Sequence, residues 1–292
     1  MDYHLPEIIG ALRRGGYYDR VMSAGPELDR VKEYLRSWTG ERPLRANTIQ
    51  RPHYPLFPGL RHQPFHDPRD FPAAAILERE FAAIRAEALA LDHAALLDYT
   101  RAAGMQTGAG SWTLYLFHHM GVEVESVARR CPKTLAVINS LPRVCTSYVW
   151  GDTLFSAMKG ATHLHPHCST DNLRVRLHLG IVVPEGCLLR VAGEMRTWEE
   201  GKCLAFEDSF EHEVWNRSAL RRVVLIVDLW HPDLTDIEIR ALTAAFGKSE
   251  VLGLFLHERI GMTPDPEDYM RHIRSVLATQ DNSPVVREFW PA

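Results

Sequence analysis

The sequence predicts a mainly β chain: a β-barrel or jelly-roll core with helices added at both ends. Three observations carry this expectation. Short runs of β-forming residues recur from about residue 111 to residue 229. Turn signals divide them, namely Gly151-Asp152, Pro184-Glu185-Gly186 and Glu200-Gly201-Lys202, and turns roughly every 8–12 residues suit a sandwich or barrel. Helical periodicity lies mostly on the flanks.

In chain order, Leu28, Val31, Leu35 and Trp38 recur at helical spacing, with Pro26 in a first turn, so residues 26–38 read as helix. Seven prolines between residues 39 and 72 forbid regular helix there. That segment is expected to be extended, either as a surface wrap or linker, or as a lid or wall over a substrate cleft. A helix resumes over 72–92, with Leu77, Phe81, Ile84 and Ala88 on one apolar stripe. Trp112 to Phe117 reads as a strand and Cys131 to Leu141 as a helix ended by Pro142. Strand candidates follow at 145–150, 153–158, 173–183, 187–191, 203–206, 212–216 and 222–229. Thr235-Asp-Ile-Glu238 is a capping box opening a helix to about Phe246. Further helical stretches are expected near 249–258 and 266–279. Three regions result: 1–110, helical and Pro-rich and packed on the core; 111–232, the β core; and 233–292, C-terminal helices.

Composition narrows the function. A chain of 292 residues with 46% hydrophobic content can bury one large core or two small ones. A net charge of −4 does not suggest a nucleic-acid partner. No run of about 18 apolar residues suggests a membrane span, and Met1 to Gly10 lacks a secretory pattern. Five cysteines, an odd number without a CxxC pair, favour reduced thiols and a cytoplasmic location over a disulfide framework or structural zinc.

The chemistry-bearing residues concentrate between Phe155 and Pro232. His163, His165 and His167 alternate, so a regular strand would place all three on one side. His167 is the best metal ligand among them, because Cys168-Ser-Thr-Asp171 reads as the turn that follows. Cys168 itself reads as a packed thiol. His212 recurs on another expected strand between apolar and aromatic neighbours that can form a dry wall around a metal. Non-haem iron sites ordinarily add a carboxylate to two histidines. The usual position, two residues after His167, is Ser169, a poor iron ligand. Asp171, Asp208 or a water would fill the third place, with water favoured. His231-Pro232-Asp233 has the His-x-Asp spacing but lacks a suitably spaced second histidine and arginine, and reads as a chance match.

Arg222 lies ten residues after His212 inside an apolar run. A buried guanidinium needs an anion, and a small dicarboxylate offers a bidentate partner. Ser156 and Met158 could complete that pocket. Arg174, Arg176 and His178 share one strand face, either as a cationic clamp for acidic ligands or as an ion-pair network with the protein's own carboxylates.

Together these strings resemble the aspartyl/asparaginyl β-hydroxylase family of Fe(II)- and 2-oxoglutarate-dependent oxygenases. The resemblance covers about residues 110–235. It is strongest in Ser156-Ala-Met158 through His167, Asn172 through Gly180, Thr197-Trp-Glu-Glu-Gly-Lys202, Phe206 through Trp215, and Ile226 through Pro232. It implies a double-stranded β-helix and two histidine ligands, His167 and His212, without a protein carboxylate. It implies 2-oxoglutarate held by Arg222 and Ser156, with Arg176 and His178 on the strand shared by cosubstrate and substrate. A lysine of the animal enzyme near the substrate carboxylate appears here as Leu154, and an indole of its cosubstrate region aligns with His118. With Arg174 and Arg176, these two complete the candidate substrate contacts. The implied reaction consumes dioxygen and 2-oxoglutarate and hydroxylates an unactivated, β-type carbon of an amino-acid, peptidyl or carrier-bound acyl substrate carrying an acidic group. Halogenation or lipid acyl-chain hydroxylation on the same scaffold, and a non-catalytic metal- or dicarboxylate-binding module, are the alternatives.

Overall fold

The computed structural model describes residues 4–39, 49–91, 97–98, 110–119, 121–124, 129–259 and 281–291. Its strands are β1 (Phe65–His66), β2 (Leu97–Asp98), β3 (Trp112–His119), β4 (Val122–Glu123), β5 (Thr153–Met158), β6 (Thr162–His167), β7 (Arg174–Val182), β8 (Cys187–Val191), β9 (Glu194–Arg196), β10 (Cys203–Phe206), β11 (His212–Asn216) and β12 (Arg222–Trp230). They form two sheets. The larger runs β1-β10-β7-β12-β5-β3-β2 with β4 on β3, and the smaller runs β6-β11-β8-β9. From β5 to β12 the chain passes repeatedly between the two sheets, which makes the core a double-stranded β-helix.

The large sheet is covered on both faces, so its strands are buried along nearly their whole length. Leu114, Leu116, Leu154, Met158, Val224 and Ile226 face inward and meet Leu164, Leu189, Val191 and Val214 of the small sheet. Phe155, Val175, Leu177, Leu179, Leu225 and Val227 face outward, into a second apolar cluster. The described helices are α1 (Leu5–Arg14), α2 (Tyr17–Ser23), α3 (Asp29–Trp38), α4 (Pro72–Arg79), α5 (Phe81–Ala90), α6 (Pro132–Ser140), α7 (Asp236–Gly247), α8 (Ser249–Arg259) and α9 (Pro284–Phe289). Leu77, Ile84 and Ile138, from α4, α5 and α6, cover the outer face. The Glu87 carboxylate of α5 accepts from the Lys133 and Thr134 N–H groups and so caps α6. The terminal helices share a third cluster with Tyr54, Tyr148 and Trp150. The Thr235–Glu238 capping box forms as the spacing predicts.

The structure differs from the sequence expectation in four places. Residues 145–150 form no strand; Tyr148, Val149 and Trp150 bury their side chains in the helical cluster instead of a ladder. The helix expected over 72–92 breaks at Glu80, which lets α4 and α5 each turn an apolar side to the sheet. The helices α1 and α2 precede the first helix expected. Strand β6 is present, but irregular. The helix expected over 266–279 lies outside the described residues.

The Pro-rich segment walls one end of the core. His53 N–H donates to Ser169 O and Tyr54 N–H to Thr170 O, at 3.2 and 2.8 Å. Phe57 exchanges hydrogen bonds with the Asn172 carboxamide. Farther on, β1 pairs with β10, adding an edge strand to the large sheet. No helix among the described residues is long and apolar enough to cross a membrane.

Candidate metal and dicarboxylate site

His167 ends β6 and His212 begins β11, and the two are direct partners across the sheet. Their rings lie 4.1 Å apart, centroid to centroid. The ladder then shifts: Val214 pairs with Leu164, so three steps on β6 match two on β11. This is a β-bulge, and it contains Pro166, which has no N–H to give the ladder. The bulge corrects the expectation that His163, His165 and His167 all share a face: His163 and His165 do, with ring centroids 4.9 Å apart, and His167 leaves it. His163 instead stacks on Trp215 and bonds the Glu213 carboxylate at 3.0 Å, and His165 is exposed. Only His167 turns toward His212.

Each imidazole is oriented by a backbone carbonyl. His167 Nδ1 lies 2.6 Å from His165 O, and His212 Nδ1 lies 2.9 Å from Phe210 O. A carbonyl only accepts, so each Nδ1 carries the proton and each Nε2 keeps its lone pair. Burial lowers both imidazole pKa values, well below the ordinary value for His212, with Arg176 adding to the effect. Two neutral imidazoles with bare Nε2 atoms are the donor set an iron(II) ion takes. Among the described residues, no carboxylate joins both rings in a cluster of donors all within 4.8 Å.

Arg222 begins β12 opposite Met158 of β5. It is 2% exposed, and its Nε and Nη1 have no hydrogen-bond partner. Its guanidinium sits 5.0 Å from the Trp198 ring, a contact far weaker than an ion pair. Burial pushes its pKa down to about 10. His178 stacks on Trp198, and its Nδ1 accepts from the indole N–H at 3.2 Å. Its Nε2 therefore bears the proton, and that donor is buried without a partner. Burial, then Arg222 and Arg176, hold His178 well below the usual imidazole range. Ser156 accepts from the Trp112 indole at 2.8 Å. A buried, unpaired guanidinium beside an unpaired N–H donor fits one end of a dicarboxylate. The indoles of Trp112 and Trp198 had no assigned role in the sequence reading; Trp112 opens a strand-like string where an aromatic residue signals only core, and Trp198 stands in a string quoted only for the resemblance.

The expectation of a cationic clamp at Arg174 and Arg176 is corrected in favour of the ion-pair alternative. Arg174 is 2% exposed and donates to Asp171 at 3.2 Å, Asp228 at 2.8 Å and Ser169 Oγ at 2.6 Å. It is enclosed by the protein's own acceptors. Arg176 lies 2.7 Å from Asp228 and 3.1 Å from Asp208. Asp171 also accepts from Tyr148 and from Leu173 N–H, which removes it as a metal ligand. His118, next to last in β3, has Nδ1 2.8 Å from Thr153 Oγ1, and burial lowers its pKa to about 4. Leu154 is buried in the inner apolar cluster.

A second two-histidine, one-carboxylate group, His66, Glu207 and His231, is buried near the same end. Its hydrogen bonds oppose a metal. Asp233 N–H donates to His231 Nδ1 at 3.1 Å, so the proton is on Nε2 and faces Arg61 O at 3.2 Å. Burial alone would raise the Glu207 pKa, but bonds from His231, His62, His66 and Gln63 N–H hold it well below the carboxylate range. The group fastens the Pro-rich segment to the loop before β11. Nothing in the Pro-rich sequence marked His62 and His66 as partners of Glu207, since that contact spans more than 140 residues.

A family model described as aspartyl/asparaginyl beta-hydroxylase matches residues 78–232. The human protein named aspartyl/asparaginyl beta-hydroxylase is 39% identical over 191 residues, covering 64% of this chain and 25% of its own length. Aspartate beta-hydroxylase domain-containing protein 2 of Rattus norvegicus is 36% identical over 207 residues, covering 68% of this chain and 60% of its own. This chain therefore spans a quarter to three fifths of the length of these relatives. A solved prolyl-4-hydroxylase from Pseudomonas putida is 16% identical over 55% of this chain and 89% of its own, with a TM-score of 0.35, too slight a likeness to bear on function.

Proposed function

Because the chain belongs to the aspartyl/asparaginyl β-hydroxylase family, we propose that it is an Fe(II)- and 2-oxoglutarate-dependent dioxygenase. It hydroxylates an unactivated carbon of an amino-acid, peptidyl or acyl substrate. The observation that carries this reading is Arg222: an unpaired buried guanidinium in the same interior as two neutral, preoriented imidazoles.

His167 and His212 would hold the iron through Nε2. Bound there, iron supplies the oxidative chemistry, using dioxygen and 2-oxoglutarate. The chain's residues supply position and charge. Arg222 takes the distal carboxylate, and His178 Nε2–H and the Ser156 hydroxyl stand beside it. Met158 and Trp198 exclude water around the guanidinium, which strengthens its pairing with an anion. Arg176 sits between the metal end and the acidic network, where it fixes Asp208 and Asp228. A water is the reading for the third ligand position, since Ser169 Oγ already accepts from Arg174.

The test is oxygen-dependent succinate formation from 2-oxoglutarate by the Fe(II)-loaded protein, with mass spectrometry of peptides and acidic metabolites for a gain of one oxygen. Absence of succinate with bound iron and oxygen present would reject the oxygenase reading and favour a non-catalytic binding module.

A further inference from the structure

Each neutral donor beside Arg222 is held from behind by an indole. Trp112 N–H donates to Ser156 Oγ at 2.8 Å, and Trp198 N–H donates to His178 Nδ1 at 3.2 Å. An indole nitrogen only donates, so the atom it meets is used there as an acceptor. The ring planes of Trp198 and His178 differ by only 14°, which suits an N–H aimed along an in-plane imidazole lone pair. The same indole turns its face to Arg222, whose guanidinium carbon lies 5.0 Å from the ring centroid. A close approach of two backbones puts Trp198 in reach of both groups. Gly180, two residues after His178 on β7, pairs in parallel with Glu200 and accepts from Gly201 N–H. A Cβ on Gly180 would stand 2.3 Å from Glu199 O, so a side chain there would push the Trp198 loop off the strand.

The lone pair of His178 has a competing use. Arg222 and Arg176 both act electrostatically on this buried imidazole. Arg176 is engaged by Asp228 and Asp208, whereas Arg222 Nε and Nη1 are buried donors without a partner. A lone pair free to choose would turn to those donors, because a buried donor left unpaired is costly. An imidazole accepting from Arg222 would close the anion site on itself and occupy the N–H groups that a carboxylate takes. In the structure the lone pair is spent on the indole instead.

Resting on the 2-oxoglutarate reading, we propose that Trp198 is a positioning residue: its indole N–H occupies the His178 lone pair, keeps Nε2–H as the donor, and so leaves Arg222 unpaired for the distal carboxylate. Trp198 acts here through His178, by its N–H, and not by its bulk. Trp112 treats Ser156 in the same way, so Arg222, His178 and Ser156 all meet a ligand as donors. A carboxylate, which only accepts, is the group such a set takes.

The test is calorimetric binding of 2-oxoglutarate to the Mn(II) form of the full chain, as wild type, Trp198→Phe, His178→Phe and the double variant. Phe keeps an aromatic ring at position 198 and removes the N–H. In the wild-type background Trp198→Phe is expected to weaken binding roughly tenfold or more, the scale of a lost hydrogen bond to a charged group. In the His178→Phe background, where no lone pair remains to be held, the same change is expected to cost less than about twofold. Equal losses in the two backgrounds, or no loss in either, overturn the proposal, because Trp198 would then act through its ring on Arg222 or not at all. Long-range proton–nitrogen NMR of the wild type is the second measurement and needs no variant to fold. It is expected to show His178 protonated at Nε2 and bare at Nδ1; a proton on Nδ1 overturns the proposal. A wild type that binds Mn(II) but no 2-oxoglutarate would reject the cosubstrate reading, and the NMR result would still decide whether the indole holds the imidazole.

Discussion

Replacing Arg222 with Met separates a ligand-binding guanidinium from a structural one. Burial lowers the Arg222 pKa from 12.5 to about 10. At roughly 1.4 kcal/mol per pKa unit, that depression corresponds to about 3 kcal/mol of instability in the ligand-free protein. The sign follows from proton linkage. The folded state binds this proton less tightly than the unfolded state, so the cost is fully present below about pH 10 and fades only as pH rises toward 12.5. Met keeps much of the side-chain volume but loses the contact with Trp198, worth about 1 kcal/mol. The net expectation is a gain of about 2 kcal/mol, or roughly 4–8 °C in Tm, for the ligand-free variant at pH 7.5. The wild type is expected to gain about 2.7 kcal/mol from 2-oxoglutarate at a hundredfold excess over its Kd, and the variant almost none. Differential scanning fluorimetry with and without 2-oxoglutarate, in the presence of Mn(II), reads both effects. A variant less stable than the wild type that keeps its thermal response to 2-oxoglutarate would refute the reasoning, since the guanidinium would then be a structural element with a partner in the fold.

Three further expectations follow from the geometry. His212→Ala is expected to abolish iron-dependent succinate formation with its circular dichroism unchanged; turnover at the normal rate would show that His212 is no ligand. His118 has a folded pKa of about 4 against an ordinary 6.5, so its contribution to stability is complete above pH 6.5 and is lost as pH falls toward 4. Its ceiling is about 3 kcal/mol, and His118→Gln is expected to flatten the fall in Tm between pH 6.5 and 4, so an unaltered slope would contradict the neutral, buried imidazole. Glu207→Gln is expected to cost about 2–4 kcal/mol through its histidine partners while metal content stays the same; a second equivalent of zinc bound by the wild type and lost in this variant would contradict the hydrogen-bonded assignment.

The sequence was most informative where one residue type had few alternatives. Arg222 inside Val-Val-Leu-Ile-Val had to find an anion, and its neighbours offer none to Nε and Nη1. Thr235 and Glu238 had a local rule, the capping box, that needed no knowledge of the fold. Tertiary choices were harder to see. Arg174 and Arg176 looked like a clamp because their carboxylate partners Asp208 and Asp228 lie 32 to 54 residues away on other elements. His163, His165 and His167 looked equivalent because period-two alternation assumes a regular ladder, and Pro166 breaks it. Residues 145–150 had strand composition but joined an aromatic cluster, where burial of Tyr148 and Trp150 decided the local conformation.

In the function proposed, the bulge and the network bear on one question, how two histidines would suffice to hold a metal without a carboxylate ligand. Pairing His167 with His212 puts both Nε2 atoms at one end of the interior, and the carbonyls of His165 and Phe210 fix their tautomers. Neutral rings bring no charge to balance a divalent ion. A dianionic cosubstrate would balance the ion and leave Arg222 in excess by one positive charge. The network of two arginines and three aspartates offsets that charge to the extent its carboxylates are ionised, and burial raises the pKa of one of them, Asp208. The carboxylate missing at Ser169 would thus be replaced at a distance, by Asp208 and Asp228, which pair with Arg176 and would occupy no coordination position. Ser169 takes part by accepting from Arg174, which keeps the network ordered. Such an arrangement would leave a coordination position open at the metal.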